Sequence, residues 1–480
     1  PIFSIMEDLR AKFEANKQGH LFTFYDKLSE SEKSTLLEDL SSIDVAALPT
    51  MLANSLELEK AGGGDFQPLK SLGSVINTDK ATVDAWYKKG LEAIGSGKVA
   101  VILMAGGQGT RLGSSNPKGM YDIGMPSHSS LFRMQAERLR RLQVIAAAAA
   151  GAPSVTIPWY IMTSPMTYHP TKAYFEAESF FGLSPAQVTF FNQGTLPAMS
   201  EDGAIFLETP SSVVRAPDGN GGIYKALEVE GVLADMAKRG ISSIHTYCVD
   251  NALVKLGDPT FVGYCLEQGA DCGSKVIPKA YPQEAVGCCC LKNGAVSVVE
   301  YSELPKEKTE LRGDSGELLF SAANIANHYY SLSFLQRMAT EFPAHVAFHI
   351  ARKKIAHIDL QSEKGEKVTP TAPNGIKLEG FIFDVFPLAE KMAVLEAPRA
   401  AEFAPVKNAP GSPTDSPDTA RAMLSAEYEA WIIQAGGMLT GEGLVEISPL
   451  LSYSGEGLEA LVAGKTFTRP LHLKKEEEAA

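Results

Sequence analysis

The chain has 480 residues, of which 45% are hydrophobic, 8% aromatic and 21% charged, the balance of a folded protein and not of a disordered one. Its 44 basic and 57 acidic side chains leave a net charge of −13, which argues against nucleic acid or anionic membrane as a partner. A small anionic ligand is not excluded, because a few placed cations suffice to hold one.

The length exceeds what one core usually supports, so several domains are expected. The first hundred residues read as helical. Met6–Ala15, Leu21–Lys27 and Glu30–Leu40 carry apolar residues at helical spacing, with Ser29 and Glu32 placed as a capping box. Thr50–Glu59 and Ala81–Ile94 suggest two more helices, with Gly62-Gly63-Gly64 as a loop between them. From Lys98 the pattern changes. Val99–Met104 is a continuous apolar run ending in glycines, as a strand buried on both faces does. Helix is expected over Ser130–Ile145, Tyr168–Phe181 and Ile223–Lys238, and strand over Trp159–Met162 and Ser243–Val249. Strands alternating with helices indicate a mostly parallel α/β sheet. Asn293-Gly294, between apolar runs at Val286–Leu291 and Val296–Tyr301, is a strong two-residue hairpin signal.

Around residue 401 the composition shifts to a link holding Pro405, Pro410, Pro413 and Pro417. Helix over Thr419–Gly436 and short strands over Leu444–Phe467 are expected beyond it, then a frayed charged tail at Lys474–Glu478. The boundaries that follow are 1–97 for a helical N-terminal domain, 98–400 for a central mixed α/β domain and 401–480 for a small β-rich C-terminal domain. No stretch reaches the roughly 20 apolar residues of a membrane span, and no apolar targeting core opens the chain. The six cysteines, Cys288-Cys289-Cys290 among them, lack zinc spacing and read as buried reduced thiols, so the cytosol is the expected compartment.

The sharpest chemical signal is Ala105-Gly106-Gly107-Gln108-Gly109-Thr110-Arg111-Leu112-Gly113, followed by Pro117-Lys118-Gly119. Glycines directly after a buried strand let the main chain approach a ligand and point N–H groups into one concavity. Arg111 and Lys118 add positive charge at the sheet edge where nucleotides bind. The dinucleotide fingerprint fails, because Leu112 stands where its last glycine belongs. The P-loop fails too, since the order here is Lys118-Gly119-Met120. Asp250, at the end of the strand His245–Val249, is a carboxylate at that same edge: a turn residue, or a ligand for Mg²⁺ beside phosphates.

The stretch Met104–Gly119 resembles the signature of the eukaryotic UDP-N-acetylhexosamine pyrophosphorylases, a branch of the uridylyltransferases. The resemblance continues through Gln193-Gly194, Ala216–Gly222, Tyr247–Asn251, Val299-Glu300-Tyr301, Asn324–Asn327 and Asn374–Lys377, and covers most of the chain. It implies a central mixed, mostly parallel Rossmann-like nucleotidyltransferase sheet flanked by smaller terminal domains.

By this resemblance Arg111, Lys118 and Lys377 are catalytic. Met104, Ala105, Gly106, Gly107, Gln193, Gly219 and Asp250 bind the nucleotide, and Asn220, Glu300, Tyr301 and Asn324 bind the sugar. Lys407 binds phosphate, and Asp250 holds Mg²⁺ (or Mn²⁺), with Asp384 a candidate second carboxylate. The implied reaction joins UTP and N-acetylglucosamine 1-phosphate into UDP-N-acetylglucosamine and pyrophosphate. The same chemistry on glucose 1-phosphate or N-acetylgalactosamine 1-phosphate is the closest alternative, and a silent nucleotide-sugar sensor a more distant one. A fused acetyltransferase is excluded, because the segment after residue 400 is short and lacks a hexapeptide repeat.

Overall fold

The computed structural model describes residues 2–60, 63–345 and 348–475, and its contacts divide the chain into two units. One gathers Pro1–Gly63, Gln193–Ala226 and Met338–Val385; the other holds Gly64–Asn192, Leu227–Arg337 and Phe386–Ala480. This grouping differs from the three consecutive segments expected from composition, for reasons visible in each unit.

The larger unit is built on an eleven-stranded mixed sheet. Its strands are β1 (Phe66–Gln67), β2 (Gly73–Ser74), β3 (Val99–Met104), β4 (Trp159–Thr163), β5 (Val188–Asn192) and β6 (Ser243–Cys248). There follow β7 (Cys272–Pro278), β8 (Cys288–Lys292), β9 (Ala295–Val299), β10 (Ala322–Ser331) and β11 (Met392–Glu396). The main order is β2-β11-β7-β10-β6-β3-β4-β5, with β8 linking β1 and β9 to β10. Every neighbouring pair along the main order is parallel except the two made by β10.

All six residues of β3 are buried, as their unbroken apolar run requires. Val101 and Leu103 pack with Trp159, Ile161 and with Phe132 and Leu139 of the helix Leu131–Ala150. That helix starts where Ser130 accepts from Arg133 N–H and stops at Gly151. The hairpin of β8 and β9 turns at Asn293 and Gly294, both at positive φ, the geometry an Asn-Gly pair favours. All six cysteines are unpaired thiols, five of them buried.

Residues 64–97 belong to this unit and not to a helical N-terminal domain. The helix Lys80–Gly95 meets the helix Pro259–Gln268 at a glycine-to-backbone crossing. A Cβ on Gly263 would overlap the Trp86 carbonyl, and one on Gly90 the Pro259 carbonyl. Trp86 and Tyr264 close the crossing edge to face, with ring centroids 4.9 Å apart. Gly263→Ala is expected to lower stability by about 1–3 kcal/mol, measured as a fall in the urea midpoint at constant slope.

The C-terminal segment is not separate either. Ala420, Leu424, Tyr428 and Ile432 of the helix Pro417–Gln434 share one core with Leu112, Ile123, Leu131 and Met134. So short a segment cannot bury its own apolar face, and it borrows that of the larger unit. Its short strands form two parallel pairs, Met438–Thr440 with Thr466–Thr468 and Val445–Ile447 with Leu471–Leu473.

The smaller unit carries the helices Ile2–Ala15, Glu30–Ser41 and Leu48–Lys60. The Ser29–Glu32 capping box forms as expected. Leu21–Lys27, expected as helix, is two 3-10 turns, Gly19–Phe22 and Tyr25–Lys27. Asp39 ties the helices to a later stretch by accepting from Val213 N–H at 2.9 Å and Arg215 Nε at 2.6 Å. Arg352 pairs with both Glu59 and Glu201. These long-range ties make Pro1–Gly63 one body with residues distant in sequence. The expected helix Ile223–Lys238 is broken at Gly231, which sits at φ +73° between Ile223–Val229 and Val232–Lys238. Gly62 and Glu476-Glu477-Glu478, expected as loop and tail, lie outside the described residues.

Candidate active site

Strands β3 and β6 run parallel and end level, Met104 opposite Cys248. From β3 the chain proceeds outward to β4 and β5, while β6 lies on β3's other side, so their ends mark a switch point where α/β sheets bind ligands. The glycine loop leaves β3 here and folds back on itself. Gly109 N–H donates to Asn116 O at 2.9 Å and Lys118 N–H to Gly107 O at 3.1 Å, bringing Lys118 beside the loop's start. Asp250 follows β6, and the buried Gln135 amide fixes its approach by donating to Val249 O at 3.1 Å.

Met104, Gly107, Arg111, Lys118, Asp250 and Lys407 line a cavity of about 330 Å³ at this point. Lys118 Nζ stands 3.9 Å from Asp250 Oδ2, an ion pair too long for a hydrogen bond, with both side chains half-buried. Burial pushes the Cys248 thiol up to about 12; Asp250 adds to the shift, while Lys407 and Lys118 oppose it. Cys248 is therefore a neutral wall and no nucleophile, and the two lysines act on one spot. Arg111 and Lys407 make no ion pair among the described residues, so their charge is available to a ligand.

Lys407 arrives from a stretch read as a loose proline-rich link, yet the stretch is built. Asn251 donates to Glu402 O at 2.7 Å and accepts from Ala404 N–H at 2.9 Å. Val406 N–H then donates to Asp250 O at 2.9 Å, and Lys407 N–H to Asp415 O at 2.7 Å. A larger concavity of about 730 Å³, lined by Arg140, Arg141 and Lys475, has less to offer chemically. Its arginines are committed to Phe181 O and to Glu456. Size and chemistry diverge here, and the chemistry decides.

Of the sugar candidates, Glu300, Tyr301 and Asn324 lie in the larger unit, towards the same edge of the sheet. Strand β10 runs antiparallel to β6, with Asn327 level with Tyr247, so Asn324 stands near the end of β6. Asn324 N–H donates to Gly287 O at 2.8 Å, and Glu300 Oε1 lies 3.5 Å from where a Cβ of Gly287 would stand. Glu300 and Asn324 thus flank one glycine. Tyr301 is 53% exposed in the turn after β9.

Gln193, Gly219, Asn220, Lys377 and Asp384 belong to the smaller unit. There the Asp218–Gly222 loop is zipped to the segment after Lys377. Gly221 N–H donates to Gly380 O at 2.9 Å, Gly380 N–H to Asp218 O at 2.8 Å, and Ile382 N–H to Asn220 Oδ1 at 2.9 Å. With its oxygen engaged, Asn220 keeps its NH₂ group to offer. Lys377 is half-buried on the strand Gly375–Glu379, opposite Ala351, and makes no ion pair among the described residues. Asp384 Oδ2 accepts from Phe381 N–H at 2.7 Å and Oδ1 faces His349 Nε2 at 3.3 Å, so both oxygens already serve the local turn.

Two residues escaped the sequence reading. Asp218 is buried with its carboxyl wedged where Gly194 and Gly222 would carry a Cβ, and its Oδ1 has no hydrogen-bond partner among the described residues. Burial pushes that carboxyl up to about 7. The glycines that follow Asp218, at 219, 221 and 222, were the available signal. His328, four residues after Asn324, is the other, and nothing in the motif marks it.

Among the described residues no three His, Cys, Asp or Glu side chains cluster as a metal cage. Asp250 alone nevertheless fits Mg²⁺, which characteristically takes one or two carboxylates and completes its shell with phosphate oxygens and water.

Residues 67–442 match the family described as UTP–glucose-1-phosphate uridylyltransferase. The chain is 42% identical to the human UDP-N-acetylhexosamine pyrophosphorylase-like protein 1, over 98% of this chain and 97% of that one. It is 43% identical to the UDP-N-acetylglucosamine pyrophosphorylase of Saccharomyces cerevisiae, over 97% and 98%. The crystal structure of the uridine diphosphate N-acetylglucosamine pyrophosphorylase of Trypanosoma brucei superposes with a TM-score of 0.85, at 29% identity, over 98% of this chain and 99% of that one. A mixed sheet opening on a glycine-loop cavity, and likeness over nearly the whole length, lead to one statement: this chain belongs to the UTP–glucose-1-phosphate uridylyltransferase family, in its UDP-N-acetylhexosamine pyrophosphorylase branch.

Proposed function

We propose that the chain is a uridylyltransferase that makes UDP-N-acetylglucosamine and pyrophosphate from UTP and N-acetylglucosamine 1-phosphate. The observation that carries this is the cavity at the ends of β3 and β6, where Arg111, Lys118 and Lys407 surround one carboxylate. Relatives 42–43% identical over nearly the whole chain, named as pyrophosphorylases of this sugar class, support the choice of substrate.

An oxygen of the sugar phosphate attacks the α-phosphorus of UTP in line. The new P–O bond forms as the α–β bridging P–O bond breaks, and pyrophosphate leaves with the electron pair. The attacking oxygen is already ionised near neutral pH, so no protein base is needed. The protein's task is to hold two mutually repelling anions together and to neutralise the charge that moves to the leaving group. Arg111, Lys118 and Lys407 serve that task, and Lys377 is likewise assigned to phosphate binding. Met104–Gly107, Gln193 and Gly219 are assigned to the nucleotide, and Asn220, Glu300, Tyr301 and Asn324 to the sugar. Asp250 would hold Mg²⁺, which supplies charge neutralisation at the phosphates when bound.

Among the described residues no helix is long and apolar enough to cross a membrane. The cytosol, where unpaired cysteines stay reduced, is the compartment this reading assigns.

The test is Mg²⁺-dependent pyrophosphate release from UTP with a panel of sugar 1-phosphates. N-acetylglucosamine 1-phosphate is expected to have the highest kcat/KM. Faster reaction with glucose 1-phosphate would move the substrate to the one in the family's description, and no release with any sugar would leave a sensor.

A further inference from the structure

The geometry points to His328 as a positioning residue that sets which way round the Asn324 amide meets the sugar, and so what chemical group the site selects. This rests on the reading of Asn324 as a sugar contact. Asn324 Oδ1 accepts from Ala326 N–H at 3.2 Å. A backbone N–H can only donate, so the oxygen's place is certain in the amide. His328 Nε2 lies 3.2 Å from that same oxygen, and therefore must carry its proton and donate. The other ring nitrogen, Nδ1, faces the Tyr330 hydroxyl at 3.3 Å. In a neutral ring Nδ1 is then an acceptor, and Tyr330 donates to it.

The ring stays neutral because its surroundings offer it no counter-charge. It is wholly buried, and among the described residues His245 is the one titratable group that acts on it. The residues level with it on the neighbouring strands, Thr246 and Ser274, are uncharged. The edge of Phe386 packs on its face at 5.0 Å. Burial, reinforced by His245, pushes the ring down to about 3, far below any working pH.

The relay Tyr330–His328–Asn324 has a chemical consequence. Both N–H groups offered to Asn324 are spent on its oxygen, so a ligand meets its NH₂ group. The sequence allows this asparagine to bind through both its donor and its acceptor; the structure leaves the donor. The site thereby selects a sugar presenting a fixed acceptor oxygen, such as the carbonyl of an acetamido group. Without His328 only Ala326 N–H holds the amide. A flipped amide would then present an oxygen that repels the same carbonyl.

Steady-state kinetics on the full chain test this, with UTP and each sugar phosphate varied in turn. His328→Phe is expected to raise the KM for N-acetylglucosamine 1-phosphate about tenfold, to leave the KM for UTP within about twofold, and to shrink the preference over glucose 1-phosphate. His328→Gln, which can return one donor to the amide oxygen, is expected to recover most of that preference. Tyr330→Phe is expected to lose part of it. If His328→Phe does not fold, the comparison is made between His328→Gln and His328→Asn, whose shorter amide should fail to reach and lose the preference.

Equal losses for both substrates, or an unchanged preference in every variant, would overturn the proposal. Its failure is distinct from failure of the parent reading. An inactive wild type refutes the assigned reaction. An active wild type with an Asn324→Ala variant of unaltered sugar KM refutes Asn324 as a contact. A sensitive Asn324 with insensitive His328 refutes the relay alone.

Discussion

Lys118→Ala is expected to lower kcat for nucleotide-sugar formation by roughly 10²–10³-fold, the range for removing one preorganised donor from a transition state's developing charge. The substitution acts twice. It takes an ammonium from the wall of the cavity proposed to hold the phosphates, and it leaves Asp250 without the cation that stands 3.9 Å away. Neither side chain is fully buried, and such a pair adds little to folding, so the thermal melt should move by no more than a few degrees. Arg111→Ala is expected to behave alike, since Arg111 is exposed on a short 3-10 turn and ties nothing else down. A pyrophosphate-coupled assay with the melt alongside separates chemistry from folding. Turnover within threefold of wild type in both variants would remove the cations from the mechanism.

The largest expected loss of stability lies away from the cavity. Lys275, on β7, is wholly buried, with Nζ 2.6 Å from Asp258 Oδ2 and 3.0 Å from Glu402 Oε2. Lys255 reaches the other oxygen of Glu402 at 3.2 Å. Burial alone pushes the Lys275 ammonium down, but Asp258 and Glu402 outweigh it and hold the group above the usual lysine range. The charge is thus permanent. Lys275→Met removes it and strands buried carboxylates, for which about 3–5 kcal/mol is expected. Urea unfolding reads the loss directly. Adding Asp258→Asn and Glu402→Gln to Lys275→Met should recover part of it, since neutral amides are cheaper to bury than unpaired carboxylates. A single variant within about 1 kcal/mol of wild type would mean the network carries no such stability. The network also reaches the chemistry. Glu402 is the residue whose carbonyl Asn251 holds, and Lys407 lies five positions on.

Local features were legible because local rules decide them. The run Val99–Met104 reads as a buried strand because no polar residue interrupts it, and Asn293-Gly294 reads as a hairpin because few other pairs take positive φ twice. That the glycine loop and Asp250 would meet at one edge of the sheet was legible because both directly follow strands. Long-range ties were not legible. Lys407 reaches the cavity through Asn251, about 150 positions away, and a lone proline-rich stretch carries no mark of such a clamp. The grouping of residues 1–63 with two later stretches includes long-range ties such as those of Asp39 to Val213 and Arg215. Leu21–Lys27 shows helical spacing, yet seven residues are too few to tell an α-helix from successive 3-10 turns. His328 looks like any strand histidine until the bulge at Ala326 brings Asn324 to its ring.

The core that joins the helix Pro417–Gln434 to Leu112 makes the C-terminal segment a foundation of the glycine loop. Leu112 follows Arg111 directly, and the apolar surface it rests on comes from Ala420, Leu424 and their neighbours. An exchange of this segment between relatives would therefore not be a neutral swap of an appendage. It would alter the bed under the arginine that lines the cavity, and its cost would be felt in turnover before any change in what the enzyme accepts as substrate.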